Sequence, residues 1–171
     1  MDQSDNRPRI LIVDDEPSNL RILAAALDEE YDLVVCTNGD EALSLACSEP
    51  APDLILLDVL MPDLNGFEVC SRLKADPATE LIPVIFVTMI DDHINEERGF
   101  TVGAVDYVYK PIRSTLVRAR VRVHIRLKQH REFLEQLVLK QTDELDTARK
   151  EAEVLLEQLV EDQTIVNPNR P

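Results

Sequence analysis

Residues Ile55 to Gly66 read ILLDVLMPDLNG. An aliphatic run ends on a carboxylate, Asp58, and gives way within a few residues to Pro62 and then to Asn65-Gly66. A run this short, apolar at every position, has the pattern of a strand buried on both faces, not of one that alternates between core and water. Charges bound many buried strands, so Asp58 alone is compatible with a strand that simply reaches solvent. Its meaning depends on what the rest of the chain brings beside it.

Working outward, four further apolar runs recur, Ile10 to Val13, Leu33 to Cys36, Val84 to Val87 and Val105 to Tyr109, beside Leu54 to Leu57 itself. Between them lie segments with apolar residues at helical spacing: Leu20, Leu23, Leu27; Ala42, Leu45, Ala46; Phe67, Val69, Cys70, Leu73; Ile94, Phe100. Alternating strands and helices, with strands too uniformly hydrophobic to have a wet face, imply an α/β fold: a parallel sheet covered by helices on both sides. Pro17 suits the first turn of a helix, Asn38-Gly39 and Asn65-Gly66 mark turns, and Pro77 and Pro83 bracket the loop into the fourth strand.

In an open parallel sheet, ligands gather at the carboxyl ends of the strands, where the chain order reverses. The residues at those ends are Asp14 and Asp15, Asp58, Thr88 and Lys110. Three carboxylates, a hydroxyl and an ammonium therefore share one rim. Carboxylates about 4 Å apart repel by roughly 4 kcal/mol per pair at an effective dielectric near 20, so ionised together they require a cation. An all-oxygen donor set without His or Cys suits a hard ion, and Mg2+ is favoured over Ca2+ because no EF-hand loop is present. Such a rim could neutralise a phosphoryl group arriving at one carboxylate, with Lys110 and the metal sharing its charge and Thr88 donating a hydrogen bond. Asp14 and Asp15 also suit the start of the first helix, where acidic residues are favoured.

The set DD at 14 and 15, DVLMPDLNG from Asp58, VT at 87 and 88, and GAVDYVYKP from 103 to 111 resembles the receiver domain of two-component response regulators. The likeness covers roughly residues 8 to 127. It implies a doubly wound, flavodoxin-like five-stranded parallel sheet of order 2-1-3-4-5, followed here by a long C-terminal helix. It further implies that Asp58 accepts a phosphoryl group from a sensor histidine kinase or phosphotransfer protein. Asp15 would bind Mg2+ directly, Asp14 largely through water, and Asp58 and the Leu60 backbone carbonyl would complete the protein ligands. Lys110 and Thr88 would assist the transfer, Thr88 and Tyr107 would form a switch pair, and the Lys110-Pro111 bond would be cis. This sequence departs from the family pattern at Met89, where receivers usually carry a small residue, and at Leu60, which offers no polar side chain to an attacking water. The resemblance implies no enzyme activity on outside substrates, and Asp58 lacks the DxD spacing of aspartyl-nucleophile phosphatases.

With 171 residues, of which 44% are hydrophobic, the chain can hold one full core and an appendage. Its net charge of -15 is uneven: residues 1–111 carry 23 acidic and 7 basic side chains, residues 112–131 carry 7 basic and none acidic, and residues 132–171 carry 10 acidic and 4 basic. The acidic body argues against a nucleic-acid surface. No apolar run approaches the roughly 18 residues that span a bilayer, and MDQSDNRPRI lacks a signal-peptide core, so a cytoplasmic location without membrane contact is expected. Cys36, Cys47 and Cys70 are odd in number and widely spaced, and are expected as reduced, packed thiols. His93, His124 and His130 are expected at the surface, and Asp91 and Asp92 as helix N-terminal charges.

From Val117 to Leu127 the sequence reads VRARVRVHIRL, strictly alternating and strand-like by periodicity. It also fits a helix, with one stripe at Ile112, Leu116, Ala119, Val123 and Leu127 and a neighbouring one at Val117, Val121 and Ile125. The helical reading is preferred, chiefly because the resemblance implies a last receiver helix there, and also because a heptad seam follows at Leu127, Arg131, Leu134, Val138, Gln141, Leu145, Ala148, Ala152, Leu155 and Leu159. The expected organisation is a disordered arm over 1–8, a receiver over 9–127, a coiled-coil helix over 128–163 and a frayed tail over 164–171. Two copies would pair in parallel through the coiled coil, with Asp58 controlling that pairing or an attached or partner output. The competing reading is a constitutive coiled-coil docking module whose receiver fold does not switch.

Overall fold

The computed structural model describes residues 7–89 and 101–165. Five strands, β1 (Arg9–Val13), β2 (Asp32–Cys36), β3 (Leu54–Asp58), β4 (Val84–Met89) and β5 (Asp106–Lys110), alternate with helices α1 (Pro17–Leu27), α2 (Gly39–Ala46) and α3 (Gly66–Ala75). A final helix, α4 (Ser114–Ile165), follows β5. The sheet is parallel throughout, in the order β2-β1-β3-β4-β5. This is the flavodoxin-like arrangement expected from the resemblance. The chain divides into two compact units, Met1–Lys128 and Gln129–Pro171.

Both faces of the sheet are covered, which is why its strands are apolar at nearly every position. Leu11, Val13, Ile55, Leu57, Val84, Phe86 and Tyr107 face α2 and α3. Ile10, Ile12, Leu54, Leu56, Ile85, Val87 and Val108 face α1 and the first turns of α4. The alternating segment 117–127 is helical, and it settles which apolar stripe does the packing: Val117, Val121 and Ile125 are buried, whereas Leu116, Val123 and Leu127 are exposed.

Asn38 and Asn65, expected at turns, are helix caps. The Asn38 side chain accepts from the Glu41 backbone N–H at 2.8 Å, and the Asn65 side chain accepts from that of Glu68 at 3.0 Å. Each satisfies one of the donors that a helix start leaves free. The glycines that follow are the first helical residues, and Gly66 is required there by space, since a Cβ would lie 2.2 Å from the Asp58 carbonyl oxygen. Pro17 opens α1 as expected.

The amino ends of the strands are fastened by charge. Asp53 accepts from the Arg9 backbone N–H at 2.8 Å and from Lys128, Arg9 pairs with Asp32 at 2.8 Å, and Arg122 pairs with Glu30 at 2.9 Å. Asp106 is held by Arg120 and by His124, whose Nε2 lies 3.2 Å away. The basic run of 112–131 thus binds acidic groups of its own unit in part. His124, expected at the surface, is instead half-buried against Asp106, because the alternating pattern concealed which side of the helix met the sheet. Cys36 and Cys70 are buried as expected, but Cys47, at the C-cap of α2, is exposed. Asp91, Asp92, His93, Ile94 and Phe100 lie outside the described residues, as do most of the arm and the tail.

Candidate functional site

The rim is assembled by sheet register. Val13 pairs with Leu57 and Asp58 with Val87, so the residue after β1 and the last residue of β3 come side by side. Asp14, Asp58 and Lys110 continue the alternation of Ile12, Leu56 and Val108 on one face, while Thr88 and Tyr107 continue that of Phe86 on the other.

Asp14 is fully buried and Asp58 is 2% exposed. The Lys110 ammonium bridges them, 3.1 Å from Asp14 Oδ2 and 3.2 Å from Asp58 Oδ2. Asp14 Oδ1 accepts from the Glu16 backbone N–H at 2.9 Å and from Asn19 Nδ2 at 3.0 Å. Asp58 Oδ1 accepts from the Leu60 backbone N–H at a long 3.4 Å. Asp14 Oδ2, although in ion-pair range of Lys110, has no hydrogen-bond partner. Asp15 is exposed at the mouth of the cluster, and one oxygen from each of Asp14, Asp15 and Asp58 lies within 4.8 Å of the others. An orphaned buried carboxylate oxygen within an all-oxygen trio, with one ammonium nearby, fits a hard divalent cation.

The charge imbalance is felt by Asp58. Burial, and then the Asp14 carboxylate, push its carboxyl from an ordinary 3.8 to about 6, against the opposing pull of Lys110 and the Leu60 N–H. Burial alone would lower the Lys110 ammonium, but the two carboxylates outweigh it and hold it above its usual range. At neutral pH Asp58 is therefore mostly ionised, and Lys110 is a fixed positive charge.

Thr88, within β4, is buried, as is Tyr107, whose ring lies 5.6 Å from that of Phe86 and is stacked on Tyr109 at 6.3 Å. Leu60 and Met89 are solvent-facing, 65% and 58% exposed. Met89 is paired in register with Lys110, so its bulk stands at the solvent-exposed edge of the rim. The Lys110–Pro111 peptide bond is cis, as expected, and so is Glu49–Pro50, which was not anticipated. Asn19 was also missed. It lies in the first turn of α1 and orients Asp14, and the signal available for it was an amide placed just after the acidic pair and Pro17.

The family model for the response regulator receiver domain matches residues 10–122. This chain belongs to the response regulator receiver family. Over 144 residues it is 40% identical to a probable cyclic di-GMP phosphodiesterase of Vibrio cholerae, covering 80% of this chain and 32% of that one. It is 44% identical over 121 residues to the response regulator PleD of Caulobacter vibrioides, covering 70% and 26%. The chain thus spans a third or less of the length of these two relatives. Among solved structures, the signal receiver domain of a histidine kinase from Syntrophus aciditrophicus is similar at 35% identity and a TM-score of 0.63, covering 69% and 89%. A Francisella response regulator receiver domain is similar at 27% identity and a TM-score of 0.64, covering 70% and 98%. As a receiver, the chain has a phosphoacceptor role in two-component signalling, and no helix among its described residues is long and apolar enough to cross a membrane.

Proposed function

We propose that Asp58 is the phosphoacceptor, taking its phosphoryl group from a phosphohistidine of a sensor kinase or phosphotransfer protein. The observation that carries this reading is the convergence of a buried, mostly ionised Asp58 with Asp14, Asp15 and a bridging Lys110. In the transfer a P–N bond breaks, a P–O bond to the Asp58 carboxylate forms, and the imidazole leaves with a proton. Such transfers depend on positioning and on charge stabilisation more than on covalent help. Lys110 stabilises charge on the phosphoryl oxygens, and Thr88 donates to one of them. Asp14, Asp15, Asp58 and the Leu60 backbone carbonyl would hold Mg2+, which when bound supplies a further positive charge to the phosphoryl group. Asn19 and the Glu16 N–H keep Asp14 aimed at the rim.

The phosphoryl group adds nearly two negative charges beside Lys110. Its pull on Thr88, with Tyr107 following, is the switch, and the organisation is a receiver over 9–127 with a pairing helix over 128–163. Leu134, Val138, Leu145, Leu155 and Leu159 are exposed at heptad spacing, which supports pairing with a second copy. To drive a nearly complete change of arrangement, the phosphoryl group must favour one arrangement by roughly 5 kcal/mol. The altered pairing acts on an attached or partner output, in a cytoplasmic setting.

The test is intact mass and solution molecular weight after treatment with a small-molecule phosphodonor, with Mg2+ or with chelator, using Asp58→Asn as control. One phosphoryl gained only by the wild type and only with Mg2+, with a changed assembly, is expected. Phosphorylation with unchanged assembly makes the helix a constitutive docking element. No gain in mass removes Asp58 from the acceptor role.

A further inference from the structure

Within the second unit, residues 145–160 read LDTARKEAEVLLEQLV. The heptad seam passes through Leu145, Ala148, Ala152, Leu155 and Leu159. A second seam starts from the same leucine and passes through Arg149, Ala152, Leu156 and Leu159, with Val160 alongside. Both obey the alternating three- and four-residue steps that keep one stripe of a helix facing a partner. At 3.6 residues per turn the two stripes are rotated by only about 50°. Leu155, Leu156, Leu159 and Val160 are 59%, 62%, 60% and 66% exposed, so burial within the chain favours neither stripe.

The charges identify the occupant as a second copy of this chain and give its direction. In a parallel, in-register pair using the first seam, Arg149 flanks the stripe five residues beyond Glu144, within reach of Glu144 of the second copy. Within one chain these two groups make only local pairs, Lys140–Glu144 at 3.9 Å and Arg149–Glu153 at 3.0 Å. An antiparallel pair would instead bring like flanks together, setting the row of Glu144, Glu151 and Gln158 against the same row of the second copy. In the second seam Arg149 turns inward towards its own copy, a cost offset by a wider apolar contact as Leu155 and Val160 flank Leu156. Each seam thus has one advantage that the other lacks, the arrangement of a two-state element.

We propose that two copies of the chain pair in parallel through either of these overlapping seams, one using Ala148 and Leu155 and the other Arg149 and Leu156. The phosphoryl state of the receiver selects between them, a step that rests on the phosphoacceptor reading above. The test uses the full chain with Cys47→Ser to remove the exposed thiol, adding Leu155→Cys or Leu156→Cys and measuring disulfide-linked dimer under mild oxidation. Arg149→Leu is expected to raise the 156-to-155 cross-linking ratio about fivefold, and Ala148→Leu to lower it comparably. A ratio unmoved by either substitution, or no cross-linking at either position, overturns the two-seam proposal. Phosphodonor and Mg2+ are expected to shift the ratio in the wild-type receiver but not with Asp58→Asn. Intact mass is read on the same samples: a phosphoryl gained with an unmoved ratio overturns the selection step. No phosphoryl gained overturns the acceptor reading and the selection with it, while the substitution ratios still decide the seams.

Discussion

Replacing Asp58 with Asn should make the receiver more stable at neutral pH, by an amount that grows as the pH is raised. Asp58 titrates near 6 in the folded protein against an ordinary 3.8, chiefly through burial and then the Asp14 charge. Between those two values the folded state holds a proton that the unfolded chain has released, so stability falls as pH rises. Well below about pH 4 the group is protonated in both states and contributes no difference; well above about pH 6 the full penalty is present. A displacement of roughly two pH units at about 1.4 kcal/mol each corresponds to about 3 kcal/mol. The stability difference between Asp58→Asn and wild type should therefore increase by about 2–3 kcal/mol from pH 4 to pH 7.5, and the pH-independent part of the substitution drops out. Urea unfolding in the presence of chelator, followed by tyrosine fluorescence, reads this directly. Tyr31, Tyr107 and Tyr109 all lie in the first unit, so the long helix does not contribute to the signal. Millimolar Mg2+ should shrink the difference by stabilising the ionised wild type. A difference that stays constant within about 0.5 kcal/mol across that range would refute the claim that buried charge repulsion dominates the site.

Lys110→Met removes the cation that bridges Asp14 and Asp58, and the Asp58 carboxyl should titrate above its wild-type value of about 6, as followed by carboxyl carbon NMR in chelator. Gly66→Ala drives a Cβ against the Asp58 carbonyl, and it should lose both stability, by about 3 kcal/mol or more, and phosphoryl uptake by intact mass. Asn65→Ala should cost about 1 kcal/mol in urea unfolding while leaving the acceptor competent, because only the cap of α3 is removed. Asp106→Ala releases Arg120 and His124 together and should cost about 1–3 kcal/mol. Burial opposes ionisation of Asp106, but Arg120, the Tyr107 N–H and His124 outweigh it and hold its carboxyl below the ordinary range; its contribution is present at neutral pH and lost as the pH falls through that lowered value.

The strands were legible because a parallel sheet covered on both faces demands apolar residues at every step, and the placement of Asp14, Asp58 and Lys110 at strand ends followed from topology. Local ambiguities came from residues that suit two structures equally. Asn followed by Gly fits a turn and also a helix cap with an uncrowded first residue, and only the approach of α3 to the Asp58 carbonyl decides between them at Gly66. The segment 117–127 offers two apolar stripes, and nothing within it reveals that Val117, Val121 and Ile125 are the ones that meet the sheet. The same uncertainty hid His124, whose partner Asp106 lies 18 residues earlier in the chain. Cys47 was misjudged because α2 ends at Ala46 and leaves the capping residue that follows in solvent.

The two ends of the sheet treat charge differently, and this bears on how the sequence can drift. At the amino ends, Asp53, Asp32, Glu30 and Asp106 each meet a cation, so a paired exchange of signs, or of both partners for apolar residues, leaves the local balance intact. At the carboxyl ends, among the described residues, three carboxylates gather about one ammonium that bridges Asp14 and Asp58, and no reciprocal exchange preserves that deficit. The fastening end is free to vary through compensated pairs, whereas the end proposed to accept the phosphoryl group has no such compensated route.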